Sequence, residues 1–200
     1  MSTTTTMPKE KATAAAMPKQ DNVVNGVNVT RLMETIQAVR KQPELAEFKF
    51  RARNKWGIGA ENRAEIKEYY GQCQELDTRP VPFVVQHDEP PVLLGKDKGA
   101  NPVEVLLAAL SGCMTTTLAF YSASEGMSIQ KIESEYEGDI DLRGFLGIDP
   151  DVRKGFQEIR VKFKVKGDPE AAKIRELVQC SPVFDSISKG VPIKITVEKV

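Results

Sequence analysis

The stretch from Asn101 to Ser124, "NPVEVLLAALSGCMTTTLAFYSAS", constrains the fold more than any other part of the chain. Asn101 is a good N-cap, Pro102 suits the first helical position, and Glu104 at the third can reach back to the cap backbone, a capping box. From there the run is apolar on nearly all sides, so a central helix over 101–124 has to lie inside something. Near Cys113 the side chains turn small, with Ala108, Ala109, Ser111 and Gly112. Small residues let another backbone approach closely, or leave room for a ligand. Thr115 to Thr117 are poor helix formers, so tertiary packing must hold them.

What surrounds that helix is written on either side of it. Upstream, "EFKFRARNKW" alternates as a strand and "RAEIKEYYG" supplies a hairpin partner, while "VPFVVQ" and "PVLLG" read as short, proline-marked edge strands, together a first sheet over 45–95. Before it, Leu32, Ile36 and Val39 fall at helical spacing, and Pro43 stops an N-terminal helix over 30–42. Downstream, "KIESEYEGDIDL" and "EIRVKFKVKG" are strands joined by an excursion, "RGFLGIDPDVRKGFQ". In the second of them Ile159, Val161, Phe163 and Val165 alternate with Arg160, Lys162 and Lys164, one face buried and one wet. "DPEAAKIRELVQC" predicts a helix capped by Asp168 with Pro169 at its first position; "SPVFDSISKG" restarts one on Ser181 and Pro182. "VPIKITVEKV" closes a second sheet-and-helix unit over 128–200. The order predicts an α+β domain over 28–200, antiparallel sheets packed on the buried helix. Residues 1–27 are expected to be a disordered tail, because their threonine- and alanine-rich start has almost nothing to bury.

Composition removes several function classes. The 28 basic and 28 acidic residues balance and are evenly spread, which argues against a nucleic-acid or membrane partner. One histidine, His87, cannot build a histidine metal site or a Ser-His hydrolase, and "QHDEPP" suits it to a turn. Three cysteines, Cys73, Cys113 and Cys180, are too few and too scattered for a disulfide scaffold or zinc cluster, so no metal or cofactor is expected. With no signal peptide and spare thiols, the expected compartment is the cytoplasm.

The two later cysteines carry the chemistry. Cys113 lies about three turns into its helix, beyond the reach of the N-terminal dipole, so a thiolate there needs a cation from elsewhere in the fold. Cys180 ends one predicted helix just before the cap of the next, in "QCSPVF". Taken together, "NPVEVLLAALSGC" and "CSPVF" resemble the OsmC/Ohr family of osmotically inducible and organic hydroperoxide resistance proteins. The likeness spans roughly Phe48 to Val200, and "EGDIDLRGFLGIDPDVRKGFQEIRVKF" is similar to one branch of it. The resemblance implies an OsmC-like fold, an intertwined homodimer, and interface sites lined by apolar residues. It further implies that Cys113 attacks a small-molecule hydroperoxide and becomes a sulfenic acid. Cys180 would then close a disulfide, which an external dithiol, of lipoyl type in the family, reduces.

The chain departs from the peroxidatic pattern at two points. Where such members place a glutamate directly after Asn-Pro, this one has Val103, and the carboxylate follows as Glu104. On a regular helix Glu104 lies about 13 Å along the axis from Cys113 and close to the opposite face, which suits it to the capping box. The activating arginine is also unplaced: Arg63 is the nearest candidate to the family's glycine-flanked turn, with Arg51, Arg53 and Arg79 behind it. Two functions are therefore expected to compete, a thiol-dependent peroxidase using Cys113 and Cys180, and an OsmC-like dimer that holds a small hydrophobic ligand without peroxidase activity. Cys73 is expected to be a non-catalytic thiol.

Overall fold

The computed structural model describes residues 21–199. The expectation for residues 1–20 lies outside the described residues. Residues 23–27, read above as tail, instead pair with Asn28 in a hairpin, β1 (Val23–Val24) with β2 (Val27–Asn28). Its turn is Asn25-Gly26, both at positive φ, the type I′ geometry for which this dipeptide is favoured. Composition spoke for a tail; one local dipeptide overrode it. The Asn25 side chain donates to the Met127 carbonyl at 3.0 Å and accepts from the Ile129 N–H at 2.7 Å, fastening the hairpin far along the chain. Asn28 then caps α1 (Val29–Lys41) by accepting from the Arg31 N–H.

The expected first sheet is two. β3 (Lys49–Phe50), β4 (Arg53–Trp56), β5 (Asn62–Ile66), β6 (Tyr69–Gly71), β7 (Gln74–Leu76) and β8 (Phe83–His87) assort as β3-β6-β7 and β4-β5-β8, all antiparallel. The long hairpin breaks at matching points, between β3 and β4 on one side and between β5 and β6 on the other, so its halves serve different sheets. "PVLLG" is not a strand: Pro91–Leu93 form a single 3-10 turn, followed by Leu94 at φ 64°. Pro90 and Pro91 have no N–H to give a ladder, and a proline suits the start of a tight turn.

The C-terminal half holds the core. α2 (Pro102–Ser124) leads to β9 (Ile129–Asp139), α3 (Leu142–Phe145), β10 (Glu158–Gly167), α4 (Ala171–Val178), α5 (Pro182–Ser188) and β11 (Ile193–Lys199). β10 lies in the middle of β11-β10-β9. β9 is antiparallel to it, but β11 is parallel, with Ile159 opposite Ile193, which corrects the all-antiparallel expectation. The reason is the α4–α5 crossover, which returns the chain to the start of β10, as a parallel neighbour requires. Asp168 does not cap α4, whose first turn begins after Glu170. Its carboxylate instead accepts the Ser128 N–H at 2.8 Å, stitching the entry of β9 to the exit of β10. Ile159, Phe163 and Val165 of β10 are fully buried against Leu110, Met114 and Leu118 of α2, with Ile174 and Val178 of α4 closing the side.

Candidate functional site: two thiols on neighbouring helices

The segment before α2 sets its position. Asp88 is 1% exposed and accepts the backbone N–H groups of Glu89, Lys96 and Lys98 at 2.8, 3.0 and 3.1 Å. Burial alone would push its carboxyl up, but the N–H groups of Lys98, Glu89 and Lys96 outweigh it and hold it below the usual aspartate value. A group whose folded pKa is depressed contributes stability above its unfolded pKa and loses it as pH falls through the folded value. A 13C titration of the Asp88 carboxyl is therefore expected to give a midpoint below 3.8, with the 88–98 loop loosening only as that midpoint is crossed. A midpoint above 3.8 would contradict the assignment.

The capping box forms as read: the Asn101 side chain accepts the Val103 N–H at 3.0 Å, and Glu104 accepts the Asn101 N–H at 2.9 Å. Glu104 is thus committed to structure. The helix is only half inside the chain. Leu110, Met114 and Leu118 are buried, but Leu106, Ala109, Gly112, Thr116 and Phe120 face outward, and a Cβ at Gly112 would meet nothing within 4 Å. Cys113 sits at the border of the two faces, half-buried, as a free thiol.

Cys180 follows α4. Its N–H donates to the Leu177 carbonyl at 3.1 Å, and its exposed thiol lies 3.8 Å from the Glu176 carbonyl. The next residue, Ser181, is fully buried and caps α5 by accepting the Phe184 N–H at 3.2 Å, as predicted. α4 and α5 both pack on α2, so the two helices flanking Cys180 are neighbours of the helix bearing Cys113. Cys73 lies apart, exposed on the β6–β7 turn at φ 61°, with Gln42 Nε2 4.0 Å from its sulfur.

None of the four arginines reaches either thiol within the chain. Arg51 makes a two-pronged pair with Glu75 at 2.7 and 2.8 Å, Arg53 pairs with Glu68, and Arg63 pairs with Glu65 at 3.0 Å. The Arg53 hydrogen bond holds the Glu68 carboxyl down to about 2. Arg79 donates to the Lys67 carbonyl and lies over the Tyr69 and Phe83 rings. All four sit in or beside the two small sheets, and no strand of those sheets packs substantially on α2. His87 ends β8 and bridges to Ala100, rather than serving a turn, and its buried Nδ1 has no hydrogen-bond partner among the described residues. No cluster of His, Cys, Asp or Glu able to hold a metal ion occurs among the described residues. α2 is long and apolar enough to cross a membrane, yet one of its faces is packed on the protein's own sheet. Residues of the 143–157 excursion, read above only as a connection, join Ile140 and Leu142 in lining a cleft with the 3-10 turn beside the start of α2.

Residues 95–196, just over half of the chain, match the family described as OsmC-like protein. Among curated proteins no sequence matches the chain. In three dimensions the protein is similar to an OsmC-like protein from Mycoplasma pneumoniae, with a TM-score of 0.55, 16% identity, and 76% of this chain and 96% of that one covered. It is similar also to an organic hydroperoxide resistance protein from Elizabethkingia anophelis, with a TM-score of 0.54, 18% identity, and 76% and 96% coverage. An OsmC-like protein of unknown function from Vibrio cholerae matches with a TM-score of 0.54, 11% identity, and 76% and 99% coverage. At such identities these likenesses speak for the fold. The matched sequence carries α2 with Cys113, the three-stranded sheet, and the α4–α5 pair with Cys180, and on that match the chain belongs to the OsmC-like family.

Proposed function

We propose that the protein is a thiol-dependent peroxidase for organic hydroperoxides, working as an intertwined homodimer in the reducing cytoplasm. The observation that supports this most is the packing of α4 and α5, which flank one free thiol, on α2, which bears another. In the reaction the Cys113 thiolate attacks the terminal peroxide oxygen, the O–O bond breaks, and the alkoxide leaves to be protonated as the alcohol. The Cys113 sulfenic acid then condenses with the Cys180 thiol, releasing water and forming a disulfide. An external dithiol reduces that disulfide and is itself oxidised, which balances one hydroperoxide against two thiols.

What a single chain leaves bare supports the homodimer reading. The outer face of α2 is apolar, and Phe50, Trp56 and Phe83 of the small sheets are 74%, 72% and 61% exposed. Large apolar side chains left this bare are the kind of surface that interaction faces use. A second copy covering α2 with its arginine-bearing strands would bring the cation that Cys113 lacks in its own chain. The competing reading, a dimer that binds a small hydrophobic ligand without peroxidase activity, draws on Val103 and on the committed arginines.

Titrating the reduced protein with cumene hydroperoxide separates the two. The peroxidase is expected to lose two thiols and the mass of two hydrogens, leaving Cys73 as the remaining free thiol, and light scattering is expected to give twice the 22.1 kDa chain mass. If Cys113 and Cys180 both survive excess peroxide, the peroxidase reading is wrong and the ligand-binding one stands.

A further inference from the structure

Strand register sorts the four candidate arginines by face. In β4-β5-β8, cross-strand partners put Trp56, Ile66, Phe83 and Val85 on one side and Arg53 and Arg63 on the other. In β3-β6-β7, Phe50 and Tyr69 share one side, while Lys49 shares the other with Glu75, the partner of Arg51. The Phe48, Phe50 and Tyr69 rings stack, with centroids 5.8, 6.4 and 5.9 Å apart. Arg79, on the link between β7 and β8, carries this row across the seam between the sheets. Its guanidinium lies 5.3 Å from the centre of the Tyr69 ring and 5.1 Å from that of Phe83. Arg79 alone of the four is therefore on the apolar side.

It is also the one that no carboxylate holds among the described residues. Glu75, Glu68 and Glu65 take the other three, whereas Arg79 gives a single hydrogen bond, to the Lys67 carbonyl at 2.9 Å. The bare aromatic face thus has an uncompensated positive charge at its middle. Covering it with plain hydrocarbon would bury that charge unpaired, which is costly, so the cover needs a negative group opposite Arg79. The outward face of α2 is such a cover. Leu106 and Phe120 lie toward its ends, the small Ala109, Gly112 and Thr116 lie between, and no side chain after Glu104 is charged. Midway along it, equally far from Pro102 and Ser124, is Cys113, an ionisable thiol without a cation in its own chain. Large rings against small side chains let the two faces close, middle to middle.

We propose that Arg79 of one copy docks over Cys113 of the other and holds it as the thiolate, the thiol proton passing to water. In a two-fold dimer each thiol receives its arginine from the partner, so neither site is complete in one chain. The proposal rests on the homodimer reading, but its tests use no peroxide.

In full-length protein carrying Cys73→Ser and Cys180→Ser, Cys113 is the remaining thiol, and its alkylation by iodoacetamide at pH 7 can be followed by intact mass. Arg79→Met keeps a stem over the rings and removes the charge, and is expected to slow alkylation by about tenfold or more. That loss should shrink as pH rises, because alkali ionises the thiol without help. Arg79→Lys is expected to restore most of the rate, and Arg63→Met to leave it unchanged. A merely structural role for Arg79 would instead give a loss that pH does not move. Should Arg79→Met fail to fold, cross-linking reads the contact directly. Arg79→Cys in the same background, treated with a short bis-maleimide that spans the lost side-chain length, is expected to give a species of twice the 22.1 kDa chain mass. None should form when Cys113 is serine as well. Alkylation of Arg79→Met at the parent rate, cross-linking to Cys113 from position 63 rather than 79, or a protein that stays monomeric in light scattering would overturn the proposal. A protein that passes these tests yet leaves peroxide unconsumed would keep the arginine assignment and lose the peroxidase.

Discussion

Cys113→Ser is expected to bring consumption of cumene hydroperoxide down to the rate of buffer alone, while Cys180→Ser is expected to take up one equivalent quickly, a second only under excess peroxide, and then stop. The asymmetry follows from the different roles that the proposed reaction gives the two sulfurs. Only a thiolate can take the peroxide oxygen and hold it as a sulfenic acid, and a serine hydroxyl has no such oxidation ladder. Without Cys180 that sulfenic acid still forms, but no thiol captures it, so intact mass gains one oxygen and then, under excess peroxide, a second. Both substitutions are close in size to the original. Cys113 is half-buried with Ala109, Gly112 and Thr116 around it, and Cys180 is exposed at a helix junction, so the fold should survive and circular dichroism should match the parent. The reverse pattern, with Cys113→Ser taking up one oxygen and Cys180→Ser inert, would exchange the two roles. Turnover persisting in both variants would assign the chemistry to neither.

Phe163→Ala is expected to cost about 3–5 kcal/mol, the range for an aromatic side chain removed from a packed core. Phe163 is fully buried at the middle of β10, the central strand, and meets Tyr136 edge-on with ring centroids 6.2 Å apart. Tyr136 in turn lies 3.8 Å from the Met114 sulfur through its hydroxyl, and burial pushes that phenol up to about 12. One ring therefore joins strand, strand and helix. Domains are stable by only about 5–15 kcal/mol, so the loss is a large share of the whole. It corresponds to a fall in Tm of roughly 6–20 °C for a chain of this size. The control is next door: Lys164→Ala, on the wet face of the same strand, is expected to change stability by less than about 0.5 kcal/mol. Both proteins must be melted at one concentration, because the proposed dimer would itself contribute. Equal losses at 163 and 164 would mean that the strand's two faces are not what their burial indicates.

The parts that could be read from sequence are those decided within a few residues. Asn101, Pro102 and Glu104 form their capping box, Ser181 and Pro182 open α5, and the alternation from Ile159 to Val165 is the buried face of β10. Errors came where a distant partner decides. Asp168 has the chemistry of an N-cap, yet its carboxylate goes to the N–H of Ser128, forty residues upstream. β11 alternates like any edge strand, and alternation does not tell whether its neighbour runs parallel. The proline of "PVLLG" was taken to mark an edge strand, whereas it opens a helical turn. The residues flanking Cys113 and Cys180 carry the family likeness, whereas nothing around the arginines does. Arg51 finds Glu75 on β7 and Arg53 finds Glu68 between β5 and β6, pairings that depend on how the hairpin folds back, whereas Arg63 pairs with Glu65 two residues along its own strand. The uniform apolarity of α2 likewise hid which of its sides meets its own chain.

The Asn25 fastening has a consequence for the order in which the molecule is made. Its partners are the backbone groups of Met127 and Ile129, more than a hundred residues away, at the junction of α2 and β9. Those groups reach their positions only once α2 has docked on the sheet, and that sheet needs β10, whose ladder is the long one with β9. Closing so long a loop is costly until other contacts have shortened it. The β1–β2 hairpin, made about a hundred residues before its partners, is therefore expected to be among the last elements to be locked. Through the whole of synthesis it waits for a surface that the far half of the chain has yet to build.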